Sequence, residues 1–146
     1  MQEPGASIFL PVLVDGGLLF VGDLHAAMGE GEPTWVGFES AGTAVLRLSL
    51  VRNTPLPFPR LLLSNDRIVF TALASGAGIG SDISPHDEAM QHALGQAYDH
   101  LLEVEKLTPE EAFGFLTAQA AATFGGPASR QALVTIESPK RFFINK

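Results

Sequence analysis

Ser84-Pro85-His86-Asp87-Glu88-Ala89-Met90-Gln91-His92-Ala93-Leu94-Gly95-Gln96-Ala97-Tyr98-Asp99-His100-Leu101-Leu102-Glu103-Val104 is where the chain changes its period. Ser84 can cap free N–H groups and Pro85 suits a first helical turn. Beyond them Met90, Ala93, Leu94, Ala97, Leu101 and Val104 recur at steps of three and four, one apolar stripe of a helix that packs on a sheet. His86, His92 and His100 fall with several carboxylates on the polar face. His92 and His100 are eight residues apart, too far for a one-turn metal pair, and read as solvated.

Downstream, Thr108-Pro109-Glu110-Glu111 is a capping box with Pro at the first helical position. It predicts a second helix through Ala112, Phe113, Leu116 and Ala120, ending at Gly125-Gly126-Pro127, with a last strand from Leu133 to Glu137. Upstream, short apolar runs separated by Gly, Pro, Asn and Asp predict strands over Ser7–Val14, Leu18–Gly22, Trp35–Glu39, Ala44–Val51, Arg60–Ser64 and Arg67–Leu73. In the fourth, Leu46, Leu48 and Leu50 alternate with Arg47 and Ser49, as in a strand with one wet face. Pro55, Pro57 and Pro59 make the intervening segment a stiff extended connection.

The fold expected is therefore α+β in one domain: a β-rich sandwich or barrel-like sheet over residues 1–74, then two helices and a final strand over 84–146. A chain of 146 residues with 46% hydrophobic content has room for one real core.

Composition removes several functions. Sixteen acidic against 9 basic residues give a formal charge of −7, unfavourable for nucleic acid or anionic membrane surfaces. With no cysteine there is no disulfide, thiolate metal site or cysteine nucleophile, which is compatible with a reducing cytoplasm. No apolar run approaches the roughly 20 residues that span a bilayer. Gly76-Ala77-Gly78-Ile79-Gly80 lacks both the helix and the nearby cation of a nucleotide site.

Polar chemistry gathers in Gly22-Asp23-Leu24-His25-Ala26-Ala27-Met28-Gly29-Glu30-Gly31-Glu32, with Glu39 on the following strand. On an extended chain Asp23 and His25 point to one face with Cα atoms roughly 6–7 Å apart. Imidazole and carboxylate suit zinc or a similar divalent metal, with a third ligand from elsewhere. The glycines allow Glu30 and Glu32 to fold back as a base beside that pair. The same residues also fit a capped turn, a buried imidazole satisfied by backbone and two solvated glutamates. Phe20, Trp35, Phe38 and Phe70 could narrow a pocket toward small substrates, although sparse aromatics in strands are more often core.

The pattern Gly-Asp-x-His-Ala-Ala-x-Gly-x-Gly-Glu, preceded by Leu10-Pro11-Val12 and followed by Glu39, resembles the signature of the acetamidase/formamidase family. The resemblance continues through Asp87-Glu88-Ala89-Met90 and Leu107-Thr108-Pro109-Glu110-Glu111-Ala112. It implies metal-assisted hydrolysis of a short linear amide to ammonia and a carboxylate, by a cytoplasmic homo-oligomer using a divalent metal, zinc in the first place. Asp23 and His25 become the metal ligands, and Glu32 and Glu39 the base, proton shuttle or further ligand. Glu30, where the family often has Asp, ranks below them. Family members are generally longer, so remaining ligands would come from a partner chain or a complementing N-terminal half. The alternative is a binding or structural module without turnover.

Overall fold

The computed structural model describes residues 4–74, 83–126 and 132–140. Seven strands and two helices follow in the order β1 (Ser7–Phe9), β2 (His25–Ala27), β3 (Phe38–Glu39), β4 (Arg60–Leu62), β5 (Arg67–Ala74), α1 (Pro85–Glu103), α2 (Pro109–Gln119), β6 (Ala121–Gly125) and β7 (Ala132–Pro139). Five of them form an antiparallel sheet in the order β1-β4-β5-β7-β6, and β2 and β3 form a separate pair. The architecture is α+β. The larger sheet is open, with β1 and β6 at its edges.

β5 and β7 form the centre. They are opposed residue for residue from Arg67↔Pro139 to Ala74↔Ala132, and the Arg67 Nε donates to the Glu137 carboxylate across them. Ile68, Phe70 and Ala72 on β5, with Ala132, Val134 and Ile136 on β7, face Ala89, Ala93 and Ala97 of α1 in the main core. All three alanines are fully buried. A stripe this small lets the helix backbone approach the sheet while the large side chains come from the strands.

The expected stripe is thus rotated slightly: Ala89 and Gln96 are inside, whereas Leu94 and Val104 are 36% and 59% exposed. Both predicted caps form. The Ser84 hydroxyl accepts from Asp87 N–H, and Thr108 and Glu111 exchange both bonds of the capping box. A smaller core of Leu101, Ala112 and Phe115 joins α1 to α2.

Three sequence expectations are corrected. Helix α2 stops at Gln119 rather than Gly125, and Ala121–Gly125 is an edge strand registered on β7 through Thr123↔Thr135. Two alanines favour helix, but the free edge of β7 offers a ladder, and tertiary pairing outweighs so weak a propensity. Leu18–Gly22 and Ala44–Val51 form no ladder among the described residues. Their apolar positions face solvent, with Phe20 93%, Leu46 55%, Leu48 71% and Leu50 62% exposed. The Gly76–Gly80 run lies outside the described residues, as does Pro127.

His100 is the third correction. Its side chain is 11% exposed, tucked against Phe70 with ring centroids 5.4 Å apart. Arg60 lies over the same Phe70 ring and places Nη1 3.5 Å from His100 Nδ1. Periodicity puts His100 on the polar side of α1, but an imidazole is long enough to lean back under the Arg60 chain. Burial first, then the Arg60 charge, lowers its pKa to about 4.

The sheet also seats the acidic glycine loop. Gly126 N–H donates to Glu30 C=O at 2.9 Å, and Gly125 passes so close that a Cβ there would lie 2.5 Å from the same oxygen. Gly31, at φ +63°, leaves no room for a Cβ, which would stand 2.6 Å from Gly126 N and 2.9 Å from Leu133 Cδ2.

Two outcomes follow. A histidine held neutral by a lowered pKa contributes stability that is fully present above its unfolded pKa near 6.5 and is lost as pH falls toward about 4. Urea unfolding at pH 7 and at pH 4.5 is expected to show this loss, on the order of 2 kcal/mol after discounting for partial solvent access. His100→Asn should remove that part of the pH dependence, and equal slopes in both proteins would refute the buried environment. Gly31→Ala combines a left-handed backbone with a backbone clash and is expected to cost about 1–3 kcal/mol in thermal or urea unfolding. An unchanged midpoint would mean that the loop does not sit on β6 and β7.

Candidate metal and catalytic site

The small β2–β3 pair builds the site. In its register His25 stands directly opposite Glu39, so both side chains leave the same face of adjacent strands. His25 Nε2 and Glu39 Oε1 are 3.0 Å apart. The register shifts between His25 and Ala27, so a bulge follows the histidine immediately. Ser40 N–H donates to Leu24 C=O at 2.8 Å and ties the strand ends together.

Asp23 does not reach the site by continuing the strand, as the sequence suggests. It has φ 58°, and this left-handed residue just before β2 bends its carboxylate back to 3.5 Å from His25 Nε2. Glu32 arrives from the other side by the same device. Its φ is 55°, within a pair of turns in which Glu32 N–H donates to Gly29 C=O and Trp35 N–H to Glu32 C=O, and its Oε1 lies 3.3 Å from the same nitrogen. Trp35 is left-handed too, at φ 68°. Of six non-glycine residues with positive φ among those described, three therefore shape this segment. Each costs roughly 1 kcal/mol, strain that concentrates where geometry matters more than stability.

Three carboxylates thus converge on one imidazole nitrogen. The His25 side chain is 8% exposed, whereas Asp23, Glu32 and Glu39 are 76%, 32% and 67% exposed. The ring is covered, with a layer of acidic groups between it and solvent. Its pKa is raised, first by the hydrogen bond to Glu39 and then by the charges of Glu39, Asp23 and Glu32, with burial opposing them in part.

The donor set suits a hard or borderline divalent cation. Asp23, His25 and Glu39 each offer one ligand atom, and these lie within 4.8 Å of one another. The combination of one nitrogen and two oxygens does not by itself select zinc. Glu32 stands outside this trio yet beside the imidazole, where a proton acceptor would serve.

Glu30 is not brought to the group. It is absent from the carboxylates within 4 Å of His25 Nε2, and its Oε1 is buried without a hydrogen-bond partner under the β6 end. Its place is in loop seating. Of the four aromatics, Phe70 is core at 1% exposure, and Phe20, Trp35 and Phe38 are exposed. Sequence reading missed the left-handed Asp23 and Glu32, whose φ has no signature in residue type, and the contact of Gly37 with the imidazole.

Among the described residues no helix is long and apolar enough to cross a membrane. A stretch of 50 residues, 34% of this chain, is 40% identical to "Putative formamidase C869.04" of Schizosaccharomyces pombe (strain 972 / ATCC 24843). The match covers 12% of that relative's length, so the chain corresponds to only a small part of it. No solved structure matches the chain. The sequence profile of the Acetamidase/Formamidase family matches residues 2–132, nearly the whole chain and every residue of the site, and the chain belongs to that family.

Proposed function

We propose that this chain takes part in the metal-assisted hydrolysis of a short linear amide, of the formamide or acetamide type, to ammonia and the carboxylate. The observation that carries the reading is the convergence of Asp23, Glu32 and Glu39 on His25 Nε2 within 3.0–3.5 Å. Asp23, His25 and Glu39 would hold a divalent ion, zinc in the first place. Such an ion supplies positive charge that polarises the amide carbonyl and brings the pKa of water toward neutrality.

The remaining work falls to the protein's own groups. Glu32, partly shielded from solvent and positioned by its left-handed backbone, accepts the proton of the attacking water. The water oxygen bonds to the carbonyl carbon, Glu32 returns the proton to nitrogen, and the C–N bond breaks to release ammonia. Protonation is needed because an amide anion is too poor a leaving group. Glu39, whose Oε1 lies 3.0 Å from His25 Nε2, would exchange that hydrogen bond for a ligand bond to the same ion when the nitrogen gives up its proton.

A specific observation favours an assembly. Leu13, Leu18, Phe20 and Val45 are 85–93% exposed, on segments whose sequence is that of strands but which form no ladder among the described residues. Apolar, ladder-less chain of this kind is completed by another polypeptide, a second copy or a complementing half. The domain acting as a non-catalytic module is the competing reading, and the two part on turnover.

Elemental analysis of purified protein is expected to find near-stoichiometric divalent metal that is lost in His25→Ala, with the far-UV circular dichroism of the folded chain retained. Ammonia release from formamide or acetamide should vanish in the same variant. Glu32→Gln should keep the metal and lose roughly 10²–10⁴-fold in kcat. Metal-free wild-type protein would overturn the metal reading, and metal without ammonia release would leave the binding module. Light scattering should give a mass above that of one 15.5 kDa chain, and a monomer with full turnover would remove the assembly.

A further inference from the structure

We propose that Gly37 is a positioning residue for His25, because its missing side chain forms the seat against which the imidazole lies. A Cβ built at Gly37 would stand 2.8 Å from His25 Cγ, 2.9 Å from Cδ2 and 3.0 Å from Nδ1. All three nearest atoms belong to the one ring. Carbon atoms in contact rest at roughly 3.5–4.0 Å, so a methyl group and the ring cannot share this space.

The nature of the clash decides its consequence. Cγ is the ring atom joined to Cβ, so no small tilt of the ring tip relieves it. The imidazole must turn about its first side-chain bond, and that rotation carries Nε2 away from Glu39, Glu32 and Asp23. The backbone does not itself ask for glycine at this position, since Gly37 is not among the glycines with positive φ. Absence of a side chain is the property used, and conformational freedom is not. Gly37 also adjoins β3, so the seat and the Glu39 partner come from one short stretch, and a single segment fixes both the ring and the group it bonds.

A matched control lies close by. A Cβ at Gly42 would meet Leu24 Cδ1 at 2.9 Å. That atom is the far end of a flexible side chain on the residue next to His25, and it can swing aside. Gly37→Ala and Gly42→Ala therefore each add a methyl group beside the β2–β3 pair, and only the first acts on the imidazole.

The consequence for metal rests on the reading of His25 as a ligand, while the contact between ring and glycine does not. Both are tested on the full chain by titrating zinc calorimetrically and by recording the visible spectrum of cobalt-loaded protein. Gly37→Ala is expected to weaken zinc binding about 10- to 100-fold, the range typical of lost orienting partners, and to change the cobalt bands. Gly42→Ala should bind as the wild type does. Wild-type affinity in Gly37→Ala, or equal losses in both variants, would overturn the proposal. If the wild type binds no metal, the metal reading fails and the seat is decided by proton NMR of the metal-free protein. A cross-relaxation peak between His25 Hδ2 and Gly37 Hα is then expected in the wild type and in Gly42→Ala, and its absence from the wild type would overturn the proposal.

Discussion

The pairing of β5 with β7 is the contact on which everything else hangs. Eight residues from the middle of the chain meet eight from near its end, and the ladder creates the apolar face that α1 covers. It also leaves one edge of β7 free, and β6 fills that edge. Gly125 and Gly126 at the end of β6 then receive Glu30 and Gly31. The acidic loop is thereby anchored a few residues before Glu32 turns toward His25. A long-range strand pair thus sets the position of a carboxylate through the edge strand it carries.

The sequence is most readable where local and tertiary preferences agree. Ser84-Pro85 and Thr108-Pro109-Glu110-Glu111 announce helices whose caps form as written, because capping bonds are local. Ala121-Ala122 is misread because its state is settled by a β7 edge that no local window contains. His100 is misread for a related reason. Helical period fixes the direction of its Cβ, but Arg60 and Phe70, from strands distant in sequence, decide whether the ring meets water. Alternation in Ala44–Val51 is misread as a strand because a local window cannot supply the neighbour on which a ladder is built.

At the site, residue types were legible and the route that joins them was not. Asp23 and His25 come together, though through a left-handed Asp23 and not through an extended strand. Glu39 is recruited by cross-strand register, Glu32 by turns around Gly29 and Gly31, and Glu30 is diverted to the β6 end. Gly37 carries no signal in the sequence, because a glycine chosen for empty space looks the same as one chosen for a turn.

Charge balance supplies the last step. Asp23, Glu32 and Glu39 bring three negative charges within 3.5 Å of one nitrogen. The ligand oxygens of Asp23 and Glu39 lie within 4.8 Å of one another, and like charges roughly 4–5 Å apart repel by about 1 kcal/mol even in bulk water and by more where solvent is partly excluded. A protonated His25 offsets one of the three, and its pKa is raised first by the hydrogen bond to Glu39 and then by these charges. The cluster still carries two uncompensated charges, on a backbone already strained at Asp23 and Glu32. On the proposed reading, a doubly charged cation held by Asp23, a neutral His25 and Glu39 would leave a single excess negative charge. Glu32, outside the trio of Asp23, His25 and Glu39, would then be the carboxylate left to take a proton. The same crowding of carboxylates that is costly without a cation would, on that reading, divide ligands from base once a cation is bound.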